Sequence, residues 1–271
     1  MAKSITTEGR IFARQVGREI KRRELIGAVA ISNGNEKEWW PAVKWLAGSL
    51  NLEGSPVKRV ALLQAVGDRL KSIPEADKGA FVDITLFAGK RACEIMFTTL
   101  LADDHPMEAL TGLETGVTIQ CHYLKIGRSG TDVRLGVLVA HASAHALGRL
   151  RERARDDVEI KDGIGFLRVC GKAGLFAATE TRLRKAEINI ALNDDLIATG
   201  STKVGGQGDL ASSFFDCRTV LPRDACDGEQ IAQATAFAEV LKGRATANEI
   251  PFLVRPNDFV LEKLKRFEDG S

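Results

Sequence analysis

A histidine and two arginines follow one another at helical spacing in the stretch SAHALGRLRER, residues 143–153. Each residue of an α-helix advances by about 100°, so His145, Arg149 and Arg153 would share one face of a helix. Ser143 is a suitable N-cap, which places His145 in the first turn, where free backbone amides attract anions. The positive end of a helix disfavours a protonated imidazole, and a neutral imidazole is suited to act as a general base.

The two guanidinium groups extend this chemistry to phosphate, because arginine can donate two parallel hydrogen bonds to phosphate oxygens. Cleavage of RNA needs a base that takes the 2′-hydroxyl proton and fixed positive charge that stabilises a pentacoordinate phosphorus. We therefore predict that His145, Arg149 and Arg153 are catalytic residues of an RNA-cleaving or nucleic-acid-processing protein.

The same stretch also fits an ordinary solvated helix face. Arginine is a good helix former, and positions 151 and 155 add two further arginines. Glu152 and the acidic pair Asp156–Asp157 would neutralise part of this positive charge. A charged outer face that binds no ligand is the alternative interpretation.

The stretch HALGRLRER resembles the His-Ala-x-x-Arg-Met-x-x-Arg motif of small bacterial domains that are placed beside the RelE-like ribonuclease toxins. His145, Ala146, Arg149 and Arg153 match this motif, and Leu150 stands where methionine is usual. The resemblance implies an RNase-like site on a helix that precedes an antiparallel sheet. The toxins are small and strongly basic, whereas this chain is long, nearly neutral and predicted to carry an extra pair of strands before the helix.

A second set of polar side chains is expected on a strand in GLFAATETRLRK, residues 174–185. Strand alternation would put Thr179 and Thr181 on the same face. If that face meets the 145–153 helix, Thr181 and Arg182 would be substrate-binding residues. A polar, solvent-facing strand end is the alternative.

Metal and cofactor sites have little support in the sequence. His141 and His145 are four residues apart, but the zincin pattern needs a glutamate where Ala142 stands, and no third ligand is evident. Ser143 lies in HASAH and not in a nucleophile elbow, and no dinucleotide or phosphate-loop fingerprint occurs. The sequence therefore predicts no metal and no cofactor.

The N-terminal region offers a second place where a partner could bind. The segment REIKRREL carries four cations that could engage phosphate or an acidic partner, namely Arg18, Lys21, Arg22 and Arg23. Three tryptophans could stack on bases or pack in a core or interface: Trp39, Trp40 and Trp45. The alternative to an enzyme is a non-catalytic interaction or scaffold protein that binds a protein partner through this helical region.

Hydrophobic periodicity predicts three helices in the first part of the chain, over residues 7–30, 35–54 and 55–74. Residues 77–106 could form a strand followed by a helix, or one buried helix broken near Gly89, and a helix is favoured after Lys90. Further helices are expected at 143–153, over residues 227–245 and in the terminal segment 257–269.

Alternation and turn residues predict two strands in the segment 115–141 and a series of short strands after residue 162. The short strand candidates are GIGFLRVCG, GLFAATETR, AEINIAL, DLIATGST and SSFFDCRTVLP. Links this short require antiparallel hairpins. We therefore expect an α+β fold, with a helical N-terminal region over 1–105 and an α+β domain with a mostly antiparallel sheet over 106–271.

Composition places the chain among ordinary globular proteins. It has 271 residues, of which 44% are hydrophobic, and a net charge of +2 that argues against an electrostatic grip on nucleic acid by the whole surface. Its five cysteines are scattered and predict reduced thiols. The N-terminus carries no apolar signal region and no stretch is long enough to span a membrane, so a cytoplasmic location without membrane contact is expected.

Overall fold

The computed structural model describes residues 5–51, 55–73, 81–89, 92–102, 115–127, 130–154, 157–179, 183, 186–205 and 212–251. Within these residues the α-helices are α1 (Thr7–Ser32), α2 (Trp39–Asn51), α3 (Pro56–Ser72), α4 (Ala144–Arg153), α5 (Ile160–Thr179) and α6 (Gly228–Leu241). The strands are β1 (Phe81–Gly89), β2 (Ala92–Ala102), β3 (Gly116–Gly127), β4 (Gly130–Ser143), β5 (Glu187–Ala191), β6 (Leu196–Gly205) and β7 (Ser212–Pro222).

The seven strands form one sheet in the order β1-β2-β3-β4-β7-β6-β5. All neighbouring strands run antiparallel except β4 and β7, which pair in parallel from Ala140 and Phe215 to Ala142 and Cys217. A parallel pair needs a long connection, and here α4, α5, β5 and β6 lie between the two strands in the chain. The expected α+β class with a mostly antiparallel sheet is therefore confirmed.

Helices pack against both faces of the sheet. Phe97 and Leu100 are three residues apart on β2 and therefore point to opposite faces. Phe97 belongs to a core cluster with Leu46 of α2 and Leu63 of α3. Leu100 belongs to a second cluster that includes side chains of α5 and the first half of α1. The sheet is thus buried between two helical layers where β2 and β3 lie.

Side-chain hydrogen bonds cap the N-termini of α1, α4 and α6. The Thr6 hydroxyl accepts a hydrogen bond from the Gly9 amide at 3.2 Å at the start of α1. Ser143 is the N-cap of α4, as predicted, and its hydroxyl accepts from the Ala146 amide at 3.1 Å. Asp227 and Gln230 form a capping box at the start of α6.

The prediction of a helix after Lys90 is wrong, because residues 92–102 form strand β2. Consecutive residues from Phe97 to Leu100 are all buried, since helices cover both faces of the strand there. A strand buried on both faces shows no alternation, and its apolar run resembles that of a buried helix.

The strand predictions for GIGFLRVCG and GLFAATETR are also wrong, because most of both segments lies in helix α5. Glycines suggested turns between strands, but they allow this helix to lie close to the sheet. A Cβ at Gly174 would be 2.0 Å from the Val139 carbonyl oxygen, and one at Gly163 would be 2.7 Å from Val16 Cγ2. These glycines therefore have a packing role.

The division of the chain near residue 106 stays a prediction. β2 precedes this boundary and pairs with β3 beyond it, from Cys93 and Ile126 to Ala102 and Val117. The expected helix in the terminal segment 257–269 lies outside the described residues. None of the described helices combines the length and apolar character that crossing a bilayer requires.

His122 of β3 is buried in an aromatic cluster between the sheet and α2. Its ring stacks on Phe97 at 4.9 Å between centroids and meets the edge of Trp39 at 6.1 Å. Its Nδ1 accepts a hydrogen bond from the Gly136 amide at 3.2 Å, so Nε2 carries the proton shared with Thr99 Oγ1 at 3.0 Å. Burial lowers the pKa of His122 to about 4.

This buried imidazole predicts a pH-dependent stability. Below the ordinary histidine pKa of about 6.5, His122 is protonated in the unfolded chain. In the folded chain it stays neutral until the pH falls to about 4. The free energy of unfolding should therefore fall by about 1.4 kcal/mol per pH unit, or about 3 kcal/mol in all, between these limits. Urea unfolding of the wild type and of His122→Gln at pH 7.5, 6, 5 and 4.5 measures this; parallel curves for the two proteins would contradict it.

Candidate functional site

Helices α1 and α4 cross at a pair of glycines. A Cβ at Gly9 would lie 3.0 Å from the Gly148 carbonyl oxygen, and a Cβ at Gly148 would lie 3.2 Å from the Gly9 carbonyl oxygen. Two backbones can approach this closely only where both helices lack side chains. The first turns of α1 therefore lie directly on α4, the helix that carries the predicted site.

Glu152 of α4 stabilises the contact between α1 and α4. One of its carboxylate oxygens accepts a hydrogen bond from the Thr6 amide, a donor at the start of α1 that has no partner inside that helix. The other oxygen accepts from Arg149 at 2.6 Å. Burial raises the pKa of Glu152, but the hydrogen bonds from Thr6 and the charge of Arg149 outweigh it, so the pKa is lowered overall.

His145 and Arg149 come together as the helical spacing predicted. Arg149 Nε donates to His145 Nε2 at 3.4 Å, while its NH1 holds Glu152. Arg149 is buried, and His145 is half-buried in the first turn of α4. His145 Nε2, the nitrogen that would serve as a base, thus accepts a hydrogen bond from the Arg149 guanidinium, which also binds Glu152.

Arg153 lies apart from this pair in its contacts. Its guanidinium donates to the Val220 carbonyl oxygen of β7 and so ties the end of α4 to the sheet. Burial and the neighbouring positive charge of Arg149 lower the pKa of Arg153. The roles of His145, Arg149 and Arg153 in catalysis stay predictions, and the two arginines have structural partners.

The second predicted set of substrate contacts is not assembled in the described residues. Thr179 is the last residue of α5 and not part of a strand, and its hydroxyl donates to the Phe176 carbonyl at 2.8 Å. Thr181 and Arg182 lie outside the described residues.

A buried polar network precedes α4 where β4 and β7 run in parallel. His141 Nδ1 is 3.0 Å from Asp216 Oδ1, and Lys203 Nζ is 2.6 Å from Asp216 Oδ2. Burial raises the pKa of Asp216, but the hydrogen bonds from His141 and Lys203 lower this pKa by more. The pKa is therefore lowered overall, and the carboxyl stays ionised at neutral pH. His141 therefore lies on the strand and is paired with a carboxylate.

This network does not make a metal centre with His145. His141 lies in β4, which continues to Ser143, and α4 begins only at Ala144, so the two histidines do not share a helix face. Among the residues that the structure describes, no group of three histidine, cysteine or acidic side chains could hold a metal ion.

A groove of about 660 Å³ runs along α1 beside the crossing. Its floor consists of small or apolar residues, including Ala13, Gly17, Ala102, Gly116, Ala144 and Leu147. Its basic residues come from one face of α1 and are Arg10, Arg14, Arg18 and Lys21. We call this cavity the arginine groove. Small residues on four elements leave the space, and the long basic side chains border it.

The positive charge of the arginine groove is available for a ligand. Arg14 and Arg18 are exposed and form no hydrogen bond or ion pair with any described residue. The Arg10 guanidinium donates to the Ile5 carbonyl at 3.4 Å. By contrast, Arg22 and Arg23 both bind Glu19, and their hydrogen bonds and charges overcome burial to lower the pKa of Glu19 to about 2.

Sequence reasoning found half of the arginine groove. It singled out Arg18 and Lys21 but grouped them with Arg22 and Arg23, which the structure pairs with an acid. Arg10 and Arg14 were missed as members of the site. The signal for them is the spacing of Arg10, Arg14 and Arg18, which are four residues apart and therefore share one helix face.

No protein-family model, curated protein or solved structure matches this chain. The function has to be inferred from the geometry of the groove and of α4.

The ion pair of the buried Arg149 with the half-buried Glu152 predicts a large effect on stability. Their side chains are only 10% and 11% exposed, so Arg149→Met leaves a carboxylate without its cation at the helix crossing. We expect a loss of about 3 kcal/mol in the free energy of unfolding. Arg151→Met on the same helix is the matched control; its partner Asp157 is exposed, and a loss below about 1 kcal/mol is expected. Urea unfolding measures both, and equal losses would refute the structural role of Arg149.

Proposed function

We propose that this protein binds nucleic acid, with RNA as the first candidate, in the arginine groove between α1 and α4. The observation that supports this proposal is the row of basic residues on one face of α1, in which Arg14 and Arg18 have no partner among the described residues. Unpaired guanidinium groups beside a concave surface are suited to bind phosphate oxygens.

The row favours a polymer over a single small anion. Arginines four residues apart on a helix are separated by about 6 Å along its axis. Arg10, Arg14 and Arg18 therefore spread their charge over two helical turns, which suits a ligand that carries a series of phosphates. Backbone phosphates supply most of the affinity of non-specific nucleic-acid binding. A local row of this kind also fits a chain whose net charge is only +2.

RNA cleavage is a second candidate, which rests on His145 lying on the same helix as two residues of the groove lining. Ala144 and Leu147 of α4 line the arginine groove, so His145 lies on the helix that forms one of its walls. A bound phosphate backbone would pass this helix. In this proposal the basic residues of α1 bind the phosphates, and His145 accepts or donates a proton.

Replacing two groove arginines should weaken RNA binding and its dependence on salt. Arg14→Gln/Arg18→Gln removes two phosphate contacts, and each contact contributes about 0.7 to the slope of log affinity against log salt for a single strand. We therefore expect weaker binding and a slope that is shallower by about 1.4. Fluorescence anisotropy with a labelled single-stranded RNA at 50 to 300 mM salt measures both quantities.

The matched control removes the same charge from α3, where Lys58 and Lys71 are exposed and do not line the groove. Lys58→Gln/Lys71→Gln should leave the affinity within about two-fold of the wild type, since long-range effects between exposed charges are screened. An equal loss in both double variants would contradict the assignment of the groove. Binding of a protein in place of RNA, with little salt dependence, would favour the interaction-protein alternative.

Removing the His145 imidazole separates cleavage from binding. General acid–base catalysis contributes about 10²–10⁴-fold, so His145→Ala should reduce RNA cleavage by that factor. The variant should bind the same RNA with unchanged affinity, because the imidazole lies outside the arginine row. Denaturing gels of labelled RNA measure the rate. Equal rates for the wild type and His145→Ala would remove His145 from the mechanism and leave the binding proposal standing.

A further inference from the structure

A second cavity of about 500 Å³ opens beside the arginine groove. Lys21 lines both cavities, and the second cavity takes Glu24 and Leu25 from the next turn of α1. The two cavities therefore follow one another along α1. We call the second one the tryptophan pocket, because Trp39 and Trp40 at the start of α2 line it.

Trp40 is an exposed ring in a fixed position. It is 41% exposed, although a large aromatic side chain normally contributes to a core. Lys44 Nζ lies 5.6 Å from the ring centroid on one side, and the His122 ring is 6.5 Å away. Gly136 supports the ring from β4: its φ is +67°, and a Cβ there would lie 3.2 Å from Trp40 Cη2. A ring held by such neighbours is a platform on which a flat ligand can stack.

One polar group of the tryptophan pocket is an acceptor that lacks a donor within the described part of the chain. Gln120 Oε1 is buried and has no hydrogen-bond partner among the described residues. An acceptor that has lost water without gaining a donor costs free energy, so a bound donor would stabilise the folded protein. The charged residues of the lining balance one another, with carboxylates from Glu24 and Glu38 and ammonium groups from Lys21 and Lys37. Gln120 Oε1 is therefore the group suited to accept a hydrogen bond from an N–H donor of a ligand.

The charges of the two cavities suit different parts of one ligand. Among the described residues, the lining of the arginine groove carries four cations and no carboxylate, so it attracts phosphate. In the lining of the tryptophan pocket, by contrast, two lysines and two glutamates balance each other. A nucleotide combines an anionic phosphate with a flat base. Adenine, cytosine and guanine each carry an exocyclic amino donor, while uracil has none.

We propose that the tryptophan pocket takes one amino-bearing base of a single-stranded nucleic acid whose phosphates lie in the arginine groove. The proposal rests on the proposed function and adds to it a strand state and a base preference. A duplex keeps its bases stacked and paired, so it cannot place one on Trp40 without unpairing. Trp40 is the stacking residue, and Gln120 is the residue that selects the amino group.

The test compares three RNA eight-mers in anisotropy titrations of the full chain: (rA)8, (rU)8 and an abasic eight-mer with the same phosphates. We expect the wild type to bind (rA)8 at least several-fold more tightly than (rU)8. Trp40→Ala should weaken (rA)8 binding about ten-fold or more and leave the abasic strand unchanged. Trp40→Phe should recover part of the loss, because a smaller ring still stacks. Gln120→Met should reduce the preference for (rA)8 over (rU)8.

The outcomes distinguish the two proposals. If Arg14→Gln/Arg18→Gln weakens every strand while Trp40→Ala weakens none, the base pocket is refuted and the arginine groove stands. If Trp40→Ala weakens the abasic strand as much as (rA)8, stacking is refuted. If no strand binds the wild type, both proposals fail. Urea unfolding of each variant shows whether a loss of binding reflects a loss of folded protein.

Discussion

The arrangement of the candidate site depends on the contact of α1 with α4. Gly9 and Gly148 allow the two backbones to touch, and Glu152 then accepts the Thr6 amide that α1 cannot satisfy within itself. Because this contact fixes one end of α1, its basic face is held beside the small residues at the ends of β2 and β3. The groove is a consequence of this packing.

The distribution of acids decides which cations of α1 can bind a ligand. Glu19 holds Arg22 and Arg23 on one side of the helix, while Arg14 and Arg18 lie on another side without a partner among the described residues. A helix of mixed charge thereby acquires one strongly basic face. Such a face does not show in the net charge of the chain, because acids elsewhere balance it.

Local physical chemistry explains which elements were predictable. The helices α1, α2, α3 and α6 have one buried face, and only two residues separate β3 from β4 in the sequence, between Gly127 and Gly130. β2 and α5 were not predictable in the same way. The second half of β2, from Phe97 to Leu100, is buried on both faces and shows no alternation, and α5 uses glycine for contact with Val139 where glycine normally indicates a turn.

The sequence by itself determined the α+β class, the start of α4 at Ser143 and the shared face of His145 and Arg149, because these depend on residues a few positions apart. Only the tertiary structure decided that Arg149 pairs with Glu152 at the helix crossing. There Glu152 also accepts a hydrogen bond from the Thr6 amide, 146 residues away in the chain. The arginine groove likewise depends on the tertiary structure. Its floor combines small residues of α1, β2, β3 and α4, and no local pattern specifies that these elements meet.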